Sequence, residues 1–252
     1  MRKFALGMAA LLAAAAGAPA LAAPADVMGA VASAARPAED RALDASRKPA
    51  EVLRFMGLET GDRVLDLFAG SGYYTEIMAK AVGPRGLVLG WNPANFASAE
   101  NAAKWAALKG RAANTGVFAT PANALSLPTS AFDFVMLHLN YHDVYWEDAK
   151  FRFPRVDPKG FVRTVFETTK PGGVVAVIDH VAAPGGDVRA VVAKLHRMDP
   201  AVIRADFEAA GFVFDGESDV LRVPGDDLGK LVFDPAVRGK TDRVVYRFRK
   251  KG

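Results

Sequence analysis

The run Val64-Leu65-Asp66-Leu67-Phe68-Ala69-Gly70-Ser71-Gly72 constrains the fold more than any other part of this chain. Its branched apolar start is too short for a helix and long enough for a buried strand. A turn of small residues follows, and Tyr73–Val82 then has helical spacing. Gly70 and Gly72 can take positive φ and let a ligand approach the main chain. The helix behind them offers unpaired amides at its N-terminus. A strand, a turn and a helix joined in this way belong to an open α/β sheet, whose ligand crevice lies at the carboxyl ends of the strands. A dinucleotide turn requires a third glycine where Thr75 stands, and a phosphate loop requires Gly-Lys-[Ser/Thr], which is absent.

The remaining pattern extends this sheet. Pro37–Leu58 reads as helical, with Pro49 suited to a first helical position and Gly57 to a stop. Strands are expected at Leu87–Trp91, Gly116–Thr120, Phe132–Leu139 and Val174–Asp179, and helices at Ala94–Leu108, Lys159–Thr169 and Pro200–Ala210. Strands alternating with helices imply a mostly parallel, doubly wound sheet covered on both faces. Phe212–Val223 and Arg243–Arg249 are strand-like with no helix between them, which implies an antiparallel hairpin at one edge.

Composition removes several chemistries. The 252 residues include no Cys, so thiol nucleophiles, cysteine metal sites and disulfides are excluded. The 32 Lys and Arg are interspersed with 28 Asp and Glu, a balance that suits solubility and not nucleic-acid binding. Arg2 and Lys3, an uncharged apolar run from Phe4, and Ala20-Leu21-Ala22 have the order of a secretory signal peptide. Cleavage after Ala22 leaves one domain, residues 23–252, with no further membrane span. The expected compartment is the periplasm.

The glycine turn resembles motif I of the class I S-adenosylmethionine (SAM)-dependent methyltransferases, V-L-D-L-x-x-G-x-G. Leu127-Pro128, Phe132-Asp133-Phe134-Val135 and Lys170-Pro171-Gly172-Gly173 are similar to that family's L-P, fourth-strand and pre-fifth-strand motifs. Asn140-Tyr141-His142-Asp143, with the tail Gly239-Lys240-Thr241-Asp242-Arg243, is similar to a group of exported predicted methyltransferases of proteobacteria. The resemblance implies a Rossmann-like α/β fold, with a mostly parallel seven-stranded sheet ending in an antiparallel C-terminal edge hairpin. It implies SAM as cofactor and methyl transfer to a small molecule or envelope component. The alternative is a non-catalytic binding protein on the same fold, holding SAM, S-adenosylhomocysteine or another nucleoside-like ligand.

Carried over residue by residue, Asp66 is the motif I acid that reaches the methionine amino group. Gly70 and Gly72 lie beneath the cofactor, and Asn123 and Ala124 stand beside the adenine. Asn140 completes the expected cofactor contacts. Asn92 stands where the second strand usually ends in an acid that accepts from both ribose hydroxyls. An amide has one acceptor oxygen, so Asn92→Asp is expected to tighten SAM binding.

The chemistry is expected after the fourth strand. His142, with an ordinary pKa near neutrality, is the candidate base; Asp143 would orient it, and Tyr141 would position substrate. Without an N-P-P-Y motif, N6-adenine or amide methylation is disfavoured. No metal site is expected: Asp179-His180 resembles half of a metal pair, but three carboxylate ligands are not evident. Five aromatics between Tyr141 and Phe153 suit either a lid over an apolar substrate or an insertion packed on the sheet edge.

Overall fold

The computed structural model describes residues 23–252, so the signal-peptide reading of residues 1–22 lies outside the described residues. Four short helices come first: α1 (Val27–Ala32), α2 (Ala38–Ala42), α3 (Asp44–Arg47) and α4 (Pro49–Met56). The single helical region expected over Pro37–Leu58 is therefore broken. Lys48 takes a left-handed conformation (φ 43°) that ends α3, and Pro49 restarts the helix at its first position. Gly57 ends α4 with φ 76°, as its lack of a Cβ allows.

Strands β1 (Arg63–Leu67), β2 (Leu87–Pro93), β3 (Thr115–Thr120), β4 (Phe132–His138) and β5 (Thr169–His180) alternate with α5 (Tyr73–Val82), α6 (Ala99–Arg111) and α7 (Pro158–Thr168). Helices α8 (Val188–Leu195) and α9 (Pro200–Ala209) then precede β6 (Val213–Glu217) and β7 (Arg243–Arg249). Asp-Pro pairs start both α7 and α9. Asp157 accepts from the Lys159 and Gly160 amides and Asp199 from the Ala201 amide, while the proline lacks the N–H that would go unpaired there.

The seven strands form one sheet in the order β3-β2-β1-β4-β5-β7-β6. The first five are parallel, and β7 runs antiparallel to both β5 and β6. The edge strand is β6, cut short at Glu217, and the chain's last strand fills the gap between it and β5. The Lys170–Gly173 stretch bows out of β5: Thr169 pairs with Phe132 and Val174 with Phe134, and Gly172 has φ 79°.

Strand order reverses between β1 and β4, the point at which an open α/β sheet offers a crevice. Two cores flank the sheet. One gathers Val64, Val88, Phe134 and Met136 under α1, α4, α5 and α6; the other gathers Leu65, Leu67, Trp91 and Leu137 against α7 and α9. Each such buried side chain contributes about 1.5–3 kcal/mol.

Gly90 in β2 shows how closely the first core is packed beneath the crevice. A Cβ there would lie 2.4 Å from the Trp105 ring and 3.0 Å from the Ala69 Cβ. Gly90→Ala is expected to destabilise the protein by about 1–3 kcal/mol through overpacking. A urea titration would read this as a lower midpoint at unchanged slope.

Candidate functional site

The turn leaving β1 is held from outside. Phe68 takes φ 54°, a left-handed conformation in which an ordinary side chain is strained by about 1–2 kcal/mol. Its ring is edge-on to Trp91 at 4.8 Å, and its carbonyl accepts from Asn140 Nδ2 at 3.1 Å. Gly70 (φ 58°) and Gly72 (φ 93°) complete the turn. Asn92 fastens Gly70 twice: Oδ1 accepts from the Gly70 amide at 2.8 Å, and Nδ2 donates to the Gly70 carbonyl at 2.9 Å. The indole N–H of Trp105 donates to the same carbonyl at 3.0 Å.

Asn92 is thus not placed as the sequence implied. Its amide pairs with a peptide group as a second peptide would, and it does not line the cavity beyond the turn. A carboxylate here would keep the bond to the Gly70 amide and set an oxygen against the Gly70 carbonyl. Asn92→Asp is therefore expected to lower stability by about 1–3 kcal/mol, the range for a lost buried partner. It should leave SAM or S-adenosylhomocysteine binding no tighter, as calorimetry on the folded variant would show.

Beyond the turn lies a cavity of about 200 Å³, lined by Arg47, Asp66, Phe68, Gly70, Ser71, Tyr74, His138 and Asn140, among others. The Asp66 carboxylate is buried and accepts from the Thr75 hydroxyl at 2.6 Å. Burial pushes its pKa up to about 7, against the lowering effect of Thr75. Asn140 has a buried Oδ1 with no partner, and His138 a buried Nε2 with none. Burial, reinforced by the charges of Arg47 and Arg243, holds the His138 pKa well below the usual histidine range, so its ring is neutral. Arg47 lies over the Tyr73 ring at 4.3 Å. The Tyr73 hydroxyl donates to Asp44 at 2.7 Å, and Arg36 holds Asp44 through two bonds of 2.8 Å. Arg47 itself forms no ion pair among the described residues, which leaves its guanidinium free for a ligand.

The residues expected to carry the chemistry are elsewhere. His142 is buried between two carboxylates, with Asp179 Oδ1 at 2.7 Å from Nδ1 and Asp143 Oδ1 at 3.4 Å from Nε2. Burial opposes its charged form, but the Asp179 and Asp143 charges outweigh burial and raise its pKa to about 9. At neutral pH it is protonated and cannot act as a base. Asp179, not Asp143, orients it, also accepting from its backbone amide at 2.8 Å. Asp143 is itself raised to about 6 by burial.

Tyr141 is fully buried, and its hydroxyl donates to Asp206 of α9 at 2.6 Å; Tyr145 donates to the same oxygen at 2.5 Å. Trp146 and Phe153 are buried as well. The aromatic stretch is therefore largely packed, and it packs against β5, α7 and α8 and not on an edge strand of the sheet. Asp179 and His180 are likewise committed, to His142 and to Thr241 respectively.

Asn123 lines a second cavity, of about 280 Å³, with Phe161 and Gly160 of α7; the buried Ala122 lines it too, whereas Ala124 does not. Phe68 on the first cavity and Phe161 on the second have ring centroids 6.1 Å apart. The structure thus brings together Asp66, Gly70 and Asn140, and adds Arg47 and His138, which sequence reasoning missed. An arginine at the end of a short helix before β1 carries no motif. His138, however, is the last residue of β4, at the carboxyl edge where ligands bind.

The fold is that of the class I methyltransferases, as comparison with solved structures shows. A SAM-dependent methyltransferase from Aquifex aeolicus is 22% identical, with a TM-score of 0.57, the match covering 84% of this chain and 98% of that one. The 1,6-didemethyltoxoflavin-N1-methyltransferase of Burkholderia thailandensis, solved with its substrate and S-adenosylhomocysteine, is 15% identical over 90% of this chain and 82% of its own, at a TM-score of 0.52. The [4+2]-cyclase SpnF is 17% identical over 91% and 97%, at a TM-score of 0.57. The sequence model of the protein-L-isoaspartate(D-aspartate) O-methyltransferase family matches residues 34–104, from the N-terminal helices into α6. No curated protein sequence matches the chain.

Proposed function

We propose that the protein is a SAM-dependent methyltransferase acting on a small-molecule acceptor. One observation carries this reading: a buried carboxylate (Asp66), a partnerless carbonyl oxygen (Asn140 Oδ1) and an unpaired guanidinium (Arg47) surround a single cavity at the switch point of the sheet. That set is the complement of an amino-acid zwitterion. The ammonium group meets Asp66 and Asn140, and the carboxylate meets Arg47. The nucleoside side would then lie along Phe68 toward Asn123, beside a glycine turn already closed by Asn92.

The bound cofactor supplies an electrophilic methyl group on a sulfonium, and the protein's part is to orient, to exclude water and to manage one proton. His138 is neutral, lines the cavity and has a free Nε2, so it accepts a hydrogen bond from the acceptor's nucleophilic group and orients it, while burial and the Arg47 and Arg243 charges keep it from holding the proton. His142 has no part in that step.

Calorimetric titration with SAM and with S-adenosylhomocysteine tests the reading. Micromolar binding is expected, weakening below about pH 7 as Asp66 takes up a proton and stops accepting from the ligand's ammonium group. Asp66→Asn should reduce affinity at least about tenfold. Because the folded-state pKa of Asp66 is raised, its charge destabilises the protein above that pKa, and protonation on acidification relieves this. The same substitution should therefore increase stability at pH 8, by on the order of 3 kcal/mol. Absence of binding at millimolar ligand to folded protein would overturn the assignment.

We also propose that the chain is exported. The folded body is engaged from its first described residues: the Ala23 carbonyl accepts from the Thr60 amide at 2.8 Å, and the Ala25 amide donates to Leu58 at 3.0 Å. Cleavage after Ala22 would leave these contacts whole. Among the described residues no helix is long and apolar enough to cross a membrane. N-terminal sequencing of protein from the periplasmic fraction should begin at Ala23; an uncleaved, cytoplasmic chain would refute export.

A further inference from the structure

A third concavity, of about 480 Å³, adjoins the cofactor cavity. Its walls are Ala45, Ser46 and Lys48 on one side, Val220–Val223 on another, and Gly239, Lys240 and Arg243 on the third. Residue 47 belongs to the cofactor cavity and its neighbours 46 and 48 to this groove, so the end of α3 separates the two. Four cationic side chains line the groove, and no acidic residue does.

Arg243 is the informative one. It opens β7, opposite His180 at the carboxyl end of β5, so it stands on the same edge of the sheet as Asp66 and His138. It is only 4% exposed. Its Nε donates to the Thr241 carbonyl at 3.1 Å, and its terminal nitrogens meet no acceptor among the described residues. The nearby carboxylates are already taken. Asp226 is paired with the buried Arg197 at 2.7 Å, and Asp242 with Arg222 through two bonds of 2.9 Å. Arg47, across α3, adds a like charge that bears on Arg243, and both act on Tyr74 and His138 between them. Lys48 and Lys240 are exposed and form no ion pair among the described residues.

A buried guanidinium with no ion-pair partner of its own is costly, and repulsion from a second one adds to the cost, while the Asp242 and Asp226 charges offset part of it. An anion in the groove removes both penalties. The walls are firm enough to receive one: Arg197 ties the loop that carries Val223 and Lys240 to the carbonyls of Val181 and Lys230, and Asp226 accepts from the Asp242 amide at 2.7 Å. Val220, Leu221 and Val223 add an apolar wall beside the charges.

We infer that this groove is the acceptor site, and that the acceptor is an amphipathic small molecule whose carboxylate or phosphate pairs with Arg243 and Lys240. The inference rests on the methyl-transfer reading for the identity of its neighbour, the cofactor cavity. It goes further in naming the acceptor's chemical class. Arg243 is here a specificity residue, holding the acceptor's charged end while its nucleophilic atom reaches past Tyr74 and His138.

The test is a titration of the ¹⁵N-labelled protein, saturated with S-adenosylhomocysteine, with hexanoate, hexyl phosphate and neutral hexan-1-ol, followed by NMR. The two anions should shift the amides of residues 220–223 and 240–243 more strongly than the alcohol does. Arg243→Gln and the exposed Lys240→Gln should each weaken the anions by at least roughly fivefold, the size of a lost charge-assisted bond. Lys240→Gln alone decides the matter if Arg243→Gln does not fold. The ratio of the two anion affinities distinguishes a carboxylate from a phosphate acceptor. Equal binding of hexanol, shifts confined to Asp66 and Ser71, or variants with unchanged anion affinity would overturn the inference. If S-adenosylhomocysteine does not bind, the methyl-transfer reading fails instead, and the same titration of the unliganded protein still reports whether the groove prefers anions.

Discussion

Gly70 is the point on which the site depends. Its turn has only two main-chain bonds, from the Gly72 amide to the Ala69 carbonyl and from the Ala69 amide to the Trp91 carbonyl, and its residues include a phenylalanine in a conformation that suits glycine. Three side chains from three other elements hold it: Asn92 from β2, Trp105 from α6 and Asn140 from the end of β4. Each is itself buried, so the turn is as rigid as the core beneath it. That packing keeps Asp66 unsolvated, the condition on which the proposed pairing with an ammonium group rests.

The same economy governs the charges around the crevice. Where a buried ion is structural, it is matched: Arg36 with Asp44, Arg197 with Asp226, His142 with Asp179. Asp66, Arg47 and Arg243 form no ion pair among the described residues, and all three stand at the carboxyl edge of the sheet. Their gathering at that edge fits the ligand site proposed above.

Much of the sheet was legible in the sequence because its inner parallel strands contain short apolar runs, several of them flanked by glycine or proline, and Asp-Pro marks two helix starts. The site was legible only where the main chain makes it: Asp66 and Gly70 follow from the turn itself, whereas Gly72 faces Leu108 and Trp105 of α6 and does not line the cavity. Asn92 was misjudged because its position along β2 suggests a ribose, while its actual partner, the Gly70 peptide, is brought near only by packing. His142 and Tyr141 were misjudged for a related reason. Residues after β4 can point up into the crevice or down onto α9, and Asp179 and Asp206, distant in sequence, draw them down. Helix α8 was not foreseen, although Val188, Val191 and Val192 recur at i, i+3 and i+4 and Asp187 caps it by accepting from the Ala190 amide; it is two turns long and rich in β-branched valine, which weakens the signal. Arg47 and Arg243 became visible only once the fold set them on either side of Tyr74 and His138.

The position of β7 has a kinetic consequence. The last strand of the chain is an inner strand of the sheet, with β5 on one side and the edge strand β6 on the other. Until residues 243–249 are available, β5 keeps an open hydrogen-bonding edge, and β6 has nothing to pair with. Closure of the sheet therefore waits for the carboxyl terminus, through contacts distant in sequence and correspondingly slow to form. A nascent chain of this design stays unfinished for as long as that strand is withheld, and Arg243, at its start, is among the last of the groove's residues to arrive.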